Sequence, residues 1–390
     1  MSTQSTANGA AKPDAAKSGL EGVVVARTEL SEVDGLQGRL TIRGYDVEEL
    51  AGRASFEEVA YLLWHRELPS SSELERLQGQ IAEYRRLPDE ARAAVELAAK
   101  RMGPMDALRF GVAALSADDP NPDDESPEAH LDRAIRLVAR VPVVVATYQR
   151  LRTGGELVEP RDDLSIAGNV LYQMTGKEAE APEVKGLDTY LVTVADHGMN
   201  ASTFTARVIA STAADMVSAI TGAIGALKGP LHGGAPGPAL TMIEEIGSPE
   251  RAEPWMRDAV TKGKRLMGFG HRVYKVRDPR AEVLYKAAEI LADETGEREA
   301  LALAQEVERV GVQVLAETKP GRNLSTNVEF YTALLLREVG LTPDLFSPAF
   351  GIGRTAGWTA HYMEQRAGGR LIRPQSEYIG PRDLRYSDQR

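Results

Sequence analysis

An all-α architecture, with a multi-helix large domain, a smaller helical domain and minor N-terminal β-structure, follows from three observations on this 390-residue chain. Apolar residues recur at helical spacing, strand-like runs are few, and turn chemistry separates the helical pieces. A hydrophobic content of 43% is enough for one large core or two smaller ones. Residues 1–20 are rich in Ser, Thr, Ala and Lys and lack an apolar run, so they read as a disordered tail. Gly22–Ala26 and Leu40–Tyr45 predict a small sheet. A helix is expected from Phe56, with Ser55 as its cap, Glu57 and Glu58 in the first turn, and Val59, Leu62 and Leu63 on one face. Ser71 or Ser72 is expected to cap the next, through Leu74, Leu77 and Ile81. Asp119–Asp124 is a loop, and helices are predicted over 125–153, 163–175, 201–227, 238–246, 254–267, 279–294, 297–317, 327–339 and 350–367. Gly233–Gly234 and Gly340–Pro343 look like hinges. The expected division is therefore 21–232 with 337–390 as the large domain and 233–336 as the small one, with a small-molecule site in the cleft between them.

Composition narrows the function. A net charge of -11 argues against nucleic acid or an anionic membrane surface as partners, since both call for basic faces. No apolar run approaches a membrane span. Cysteine is absent, which excludes disulfides, thiolate nucleophiles and cysteine-ligated metals, and suits a reducing cytoplasm. Any anionic ligand must be met by local arginines.

Those arginines accompany histidines in glycine-rich loops. Gly268-Phe269-Gly270-His271-Arg272-Val273-Tyr274 is followed by Lys275, Arg277 and Asp278-Pro279-Arg280. Glycines flanking an aromatic allow close backbone approach to a ligand, and the imidazole is a proton handler among anion clamps. His232 lies in Gly229-Pro230-Leu231-His232-Gly233-Gly234-Ala235, and His197 precedes a helix start in Asp196-His197-Gly198-Met199-Asn200-Ala201-Ser202-Thr203. Glu329 lies in an apolar helical stretch, Arg354 on a helix with little polar company, and Arg373 alone near the C-terminus. No metal-ligand spacing accompanies them. Trp358 and Tyr331 read as core residues, and His65, His130 and His361 as structural.

With these motifs in place, the chain resembles the citrate synthase family from about Leu20 to Gly380. Arg43-Gly44-Tyr45 is similar to the core of the family's N-terminal motif, and Gly268 to Arg280 to its signature. The resemblance implies that an acyl-CoA carbon joins the keto carbon of oxaloacetate and that the thioester is then hydrolysed. It implies His232 as the hydrogen-bond donor to the thioester oxygen, His271 as the group assisting attack on the ketone, and Glu329 as the base. It also implies that His197, Arg280, Arg354 and Arg373 hold oxaloacetate and product carboxylates, with Arg373 reaching across a homodimer. Acetyl-CoA is the first expectation and propionyl-CoA, giving 2-methylcitrate, the alternative. A non-catalytic ligand-binding paralogue is the third reading. No metal or cofactor is implied beyond the CoA thioester itself. Charge and position suggest Arg272, Lys275 and Arg277 as CoA phosphate partners. The family normally has aspartate at the place of Glu329, and Asn and Glu where this chain has Pro236-Gly237.

Overall fold

Serine, aspartate and proline punctuate the chain at the starts of its helices. The computed structural model describes residues 18–20, 22–233, 236–271, 273–322 and 324–385. Those residues form two units, one from the described parts of 1–28 and 372–390, the other Glu29–Leu371. The first is mostly extended and exposed. The second opens with a three-stranded antiparallel meander, β1 (Ser31–Asp34), β2 (Arg39–Ile42) and β3 (Tyr45–Asp46). Val33 pairs with Leu40 and Thr41 with Asp46. The tight turn between β1 and β2 is held by Asp34, whose Oδ1 accepts from the amides of Leu36 and Gln37, both at 2.9 Å.

Helices follow: α1 (Val47–Leu50), α2 (Phe56–His65), α3 (Ser71–Tyr84), α4 (Asp89–Arg101), α5 (Pro104–Ala114), α6 (Pro127–Arg152), α7 (Ile166–Thr175) and α8 (Ala181–Val194). Then come α9 (Ala201–Ser211), α10 (Met216–Leu227), α11 (Pro236–Ile246), α12 (Pro249–Thr261), α13 (Pro279–Thr295), α14 (Arg298–Thr318), α15 (Val328–Glu338) and α16 (Phe346–Gly368). The mainly helical class expected from the sequence is what the structure has. No helix of the described residues is long and apolar enough to cross a membrane.

Local chemistry explains where these boundaries differ from the expected ones. Ser55 caps α2 in a capping box with Glu58. The α3 box is formed by Ser70 and Glu73, one residue before the expected cap. Gly22–Ala26 forms no strand, and Val24 is 86% exposed. The adjacent Ser31–Asp34 takes the place next to β2, because a four-residue turn closes that hairpin locally. The segment 201–227 is two helices, since Ala213 adopts a left-handed φ of 65° and Asp215 recaps the chain by accepting from Ser218 N at 2.8 Å. Proline at N1 starts α12 at Pro249, and the helix ends before Gly263. Four helices have no counterpart in the sequence reading: the four-residue α1, and α4, α5 and α8. The face of α4 is built on alanine, and α5 and α8 carry proline in their first turns. The tail expected over 1–20 lies mostly outside the described residues, as does Gly234 of the first expected hinge.

Two helices govern the site. The middle of α6, Ala134 to Tyr148, is buried almost without interruption and so forms the centre of the core. α8 packs against α13, α15 and α16 at once. α16 can press onto the end of α8 because residue 357 has no side chain: a Cβ there would stand 2.3 Å from the Ala195 carbonyl oxygen and 2.7 Å from Asp196 Oδ1. Backbone on one side and a buried carboxylate on the other leave nowhere to move. Gly357→Ala is therefore expected to lower unfolding free energy by about 1–3 kcal/mol, measured by denaturant titration.

Candidate active site

His232 sits in the loop after α10. That loop turns back on itself through His232 N and Gly233 N, which donate to Gly229 O at 2.9 and 3.1 Å. A Cβ at residue 233 would lie 2.3 Å from Leu227 O, so glycine is required for the loop to lie this close to α10. The ring then meets the N-terminus of α9. Asn200 caps that helix by accepting from Thr203 N, which leaves the Ser202 amide to donate to His232 Nε2 at 3.3 Å. Nε2 therefore presents its lone pair and the proton resides on Nδ1. Ser202 Oγ, 2.8 Å from the same nitrogen, also accepts from Trp358 Nε1. Burial, then the charge of Arg354, brings the His232 pKa down to about 4. The ring is neutral at pH 7, and Nδ1–H has no partner among the described residues.

His271 is arranged in the same way by a different loop. Its Nδ1 accepts from the amides of Val273 and Tyr274 at 3.0 and 3.1 Å, so its proton is on Nε2. Burial, then Arg280, lowers its pKa to about 4. Arg280 Nη2 lies 3.5 Å from His271 Nε2. Both groups are donors with no acceptor between them, the arrangement into which a ligand oxygen fits. His197 is beside them, its ring centroid 5.9 Å from that of His271 and its Nε2 3.0 Å from the Tyr274 hydroxyl. Burial, then Arg280 and Arg354, holds His197 well below its ordinary value, so it too is neutral.

Two buried guanidiniums bracket the histidines. Arg280, in the first turn of α13, forms a two-point pair with Asp278, Nε to Oδ1 at 3.0 Å and Nη2 to Oδ2 at 2.8 Å. Arg354 on α16 donates through Nε to Val194 O at 2.7 Å, stacks over Phe350, and has a buried Nη2 without a hydrogen bond among the described residues. Burial lowers its pKa to about 10, with Asp196 opposing, so it remains charged. A buried cation with an unmatched N–H group is a site for an anion.

Glu329 stands in the first turn of α15, whose N-cap Asn327 accepts from the Glu329 amide at 3.0 Å. Its carboxylate has no hydrogen bond among the described residues. Burial raises its pKa to about 7, with Arg280 opposing the rise and Asp278 adding to it. Arg354 thus acts on His232 and His197, and Arg280 on His197, His271 and Glu329, so that these six expected residues form one cluster.

The other expected residues are Arg373, Arg272, Lys275 and Arg277. Arg373 belongs to the other unit, where it is exposed. Arg272 lies outside the described residues. Lys275 is exposed, and its amide donates to Gly35 O at 2.8 Å. The Arg277 guanidinium is committed to Glu282 and Glu308. Among the described residues no group of three or more His, Cys, Asp or Glu side chains could hold a metal. Tyr274, Asp278 and Ser202 lie inside the same short motifs, where nothing in the residue pattern marks their part. Tyr190, whose buried hydroxyl has no hydrogen bond among the described residues, has no signal in the sequence because α8 itself reads as a loop there.

With this geometry in hand, comparison with known proteins is decisive. The family model described as citrate synthase, C-terminal domain, matches residues 19–375. The chain belongs to the citrate synthase family of acyltransferases. It is 44% identical to citrate synthase 2 of Bacillus subtilis over 93% of this chain and 95% of that one. It is 39% identical to the 2-methylcitrate synthase of Mycobacterium tuberculosis, over 95% and 91%. The crystal structure of citrate synthase from Pyrobaculum aerophilum superposes with a TM-score of 0.87 at 38% identity, covering 95% of each chain.

Asp278 is fully buried and also accepts from Arg280 N and Val328 N. Removing it leaves a buried guanidinium unpaired and frees the starts of α13 and α15. Asp278→Ala is expected to cost about 3–5 kcal/mol in denaturant unfolding.

Proposed function

We propose that the protein is a citrate synthase that joins the methyl carbon of acetyl-CoA to the keto carbon of oxaloacetate. The observation that carries this reading is the pairing of two neutral imidazoles, each with its other nitrogen tied to backbone amides, with an unpartnered carboxylate of pKa near 7. A carbon acid beside a thioester needs a base and, at the same moment, a donor to the oxygen that becomes the enol. Glu329 takes the methyl proton while His232 Nδ1–H donates to the thioester oxygen. The enol carbon then bonds to the keto carbon, and His271 Nε2–H supplies the proton to the resulting alkoxide. Water cleaves the thioester, giving citrate and free CoA. Arg280, Arg354 and His197 hold the oxaloacetate carboxylates, and Arg373 of a second copy completes their set in a homodimer. Lys275 and Arg272, close to His271 in sequence, are our choice for the CoA phosphates. Closure of the 233–336 lobe over the large domain completes the site, and the absence of cysteine suits a cytoplasmic setting.

Propionyl-CoA is the second reading, favoured by the mycobacterial relative. One extra methylene is worth only about 1–3 kcal/mol of discrimination, so both substrates are expected to react to some extent.

Thiol release from acetyl-CoA and oxaloacetate tests the reading directly. Turnover is expected with the unmodified protein, and Glu329→Gln should lower kcat by about a hundredfold or more. No CoA release from either acyl-CoA would end the proposal. The pH profile carries a sign. Glu329 is raised, so its basic form is present above pH 7 and is lost as pH falls through about 7. The histidines, lowered to about 4, stay neutral throughout. A single acid limb centred near pH 7 is expected for kcat/KM.

A further inference from the structure

His197 is carried on the six-residue loop 195–200 between α8 and α9, and one side chain from a distant part of the chain grips that loop on both sides of it. Ser31 Oγ, on β1, accepts from Gly198 N at 2.8 Å and donates to the carboxylate of Asp196. The residues immediately before and after His197 are thus tied to a single hydroxyl. Asp196 is fully buried and directly precedes the histidine. Its second anchor is His361 of α16, whose Nε2 lies 3.2 Å from Oδ1. Arg207 Nη1 is 3.0 Å from His361 Nδ1, which leaves the imidazole proton on Nε2, facing Asp196. Arg207 in turn pairs with Glu364 at 2.5 Å. The chain runs unbroken from Ser31 through Asp196 and His361 to Arg207 and Glu364, with His361 Nε2 3.4 Å from Asp196 Oδ2, and Asp196 Oδ1 is its one oxygen without a hydrogen bond among the described residues.

The same β-hairpin also reaches the other half of the site. Its Gly35 carbonyl accepts from Lys275 N at 2.8 Å, and a Cβ at Gly35 would lie 2.3 Å from Val273 O. Gly198 meets the hairpin through Val33. The hairpin therefore braces the loops of both His197 and His271, although it places no side chain among the reacting groups.

We propose that Ser31 is a positioning residue which, through Asp196 and His361, holds His197 in place for the 2-oxo dicarboxylate substrate. The inference rests on the citrate synthase reading above and deepens it. A device of this kind acts on one substrate first. Loss of the Ser31 hydroxyl loosens the loop that faces oxaloacetate directly, whereas the His232 loop is closed on its own Gly229 carbonyl and meets that loop only through Ser202 and Asn200.

The test is steady-state kinetics on full-length Ser31→Ala and Ser31→Thr, with His361→Asn as a second cut in the same chain and thermal unfolding recorded for each. For Ser31→Ala and His361→Asn, KM for oxaloacetate is expected to rise by about tenfold, the worth of a lost hydrogen bond or two. KM for acetyl-CoA should stay within about twofold, and Ser31→Thr, which keeps the hydroxyl, should recover most of the oxaloacetate affinity. An unchanged oxaloacetate KM in both cut variants overturns the inference. So does a parallel rise in both KM values that tracks a loss of Tm, since that is the mark of general loosening. Absence of turnover by the unmodified protein is a different result: it removes the functional reading itself, and this inference with it.

Discussion

The Asp278 carboxylate is the constraint on which the rest of the site depends. It accepts from Arg280 N, Nε and Nη2 and from Val328 N, and it is shut off from solvent. Four donors on one buried carboxylate fix three things together: the end of the His271 loop, the first turn of α13 and the first turn of α15. Such a pair is weak evidence for stability, because two charges have been taken out of water to make it. Its value lies in geometry. Asp278 occupies the Nε–Nη2 edge of Arg280 and thereby fixes Nη2, the nitrogen that also stands 3.5 Å from His271 Nε2. It also sets the field in which Glu329 sits, adding to the effect of burial and keeping that carboxylate protonated more readily than a surface acid.

The histidines make sense within that field. A carboxylate partner on the far nitrogen would favour imidazolium, and two imidazoliums beside Arg280 and Arg354 would crowd four positive charges into one pocket. Backbone amides do the opposite. Ser202 N on His232 and the amides of Val273 and Tyr274 on His271 leave each ring neutral while still fixing which nitrogen carries the proton. Amides do not titrate, so the tautomers are independent of pH over the working range. The site can then attract an anion through two permanent cations and supply neutral donors to oxygens that gain charge only during reaction. For a chain of net charge -11, such local arrangement is the means by which the proposed dianionic substrate would be held.

Much of this was legible in the residues because the site is built from short motifs. Gly268 to Arg280 carries His271, Tyr274, Asp278 and Arg280 in thirteen positions, and Asp196 to Thr203 carries His197, the α9 cap and Ser202. The helical class was legible from periodicity, and Ser55 was legible as a cap. What escaped was long-range or built from weak residues. Nothing in Ser31 marks it as the partner of a residue 165 positions away. α8 opens Ala-Pro-Glu and reads as a loop, yet it carries Tyr190 and offers the carbonyl that holds Arg354. His361 looked structural, and it is, but what it supports is Asp196, next to His197. Arg277 shows the reverse error of emphasis, since a cation picked out by charge and position is spoken for by Glu282 and Glu308.

The glutamate at 329, where the family normally has aspartate, can now be placed in physical terms. The segment before α15 runs beside the His271 loop and is tied to it by backbone: Gly270 N donates to Ser325 O at 2.8 Å and Asn327 N to Gly268 O at 3.0 Å. Asn327 adds a third tie, its Nδ2 donating to Gly270 O at 2.8 Å while its Oδ1 caps the Glu329 amide. The backbone of residue 329 therefore cannot slide relative to His271 to absorb an extra methylene. The additional length, about 1 Å, is carried wholly by the side chain, and in the proposed reaction a misplacement of that size would cost roughly a hundredfold in rate. The carboxylate in turn has no hydrogen bond among the described residues, so in the proposed role it keeps the rotational freedom to fold that length back toward the substrate carbon. An aspartate bound by the same ties would have less reach and less freedom, and this scaffold, fixed in its backbone and open at its base, suits the longer acid.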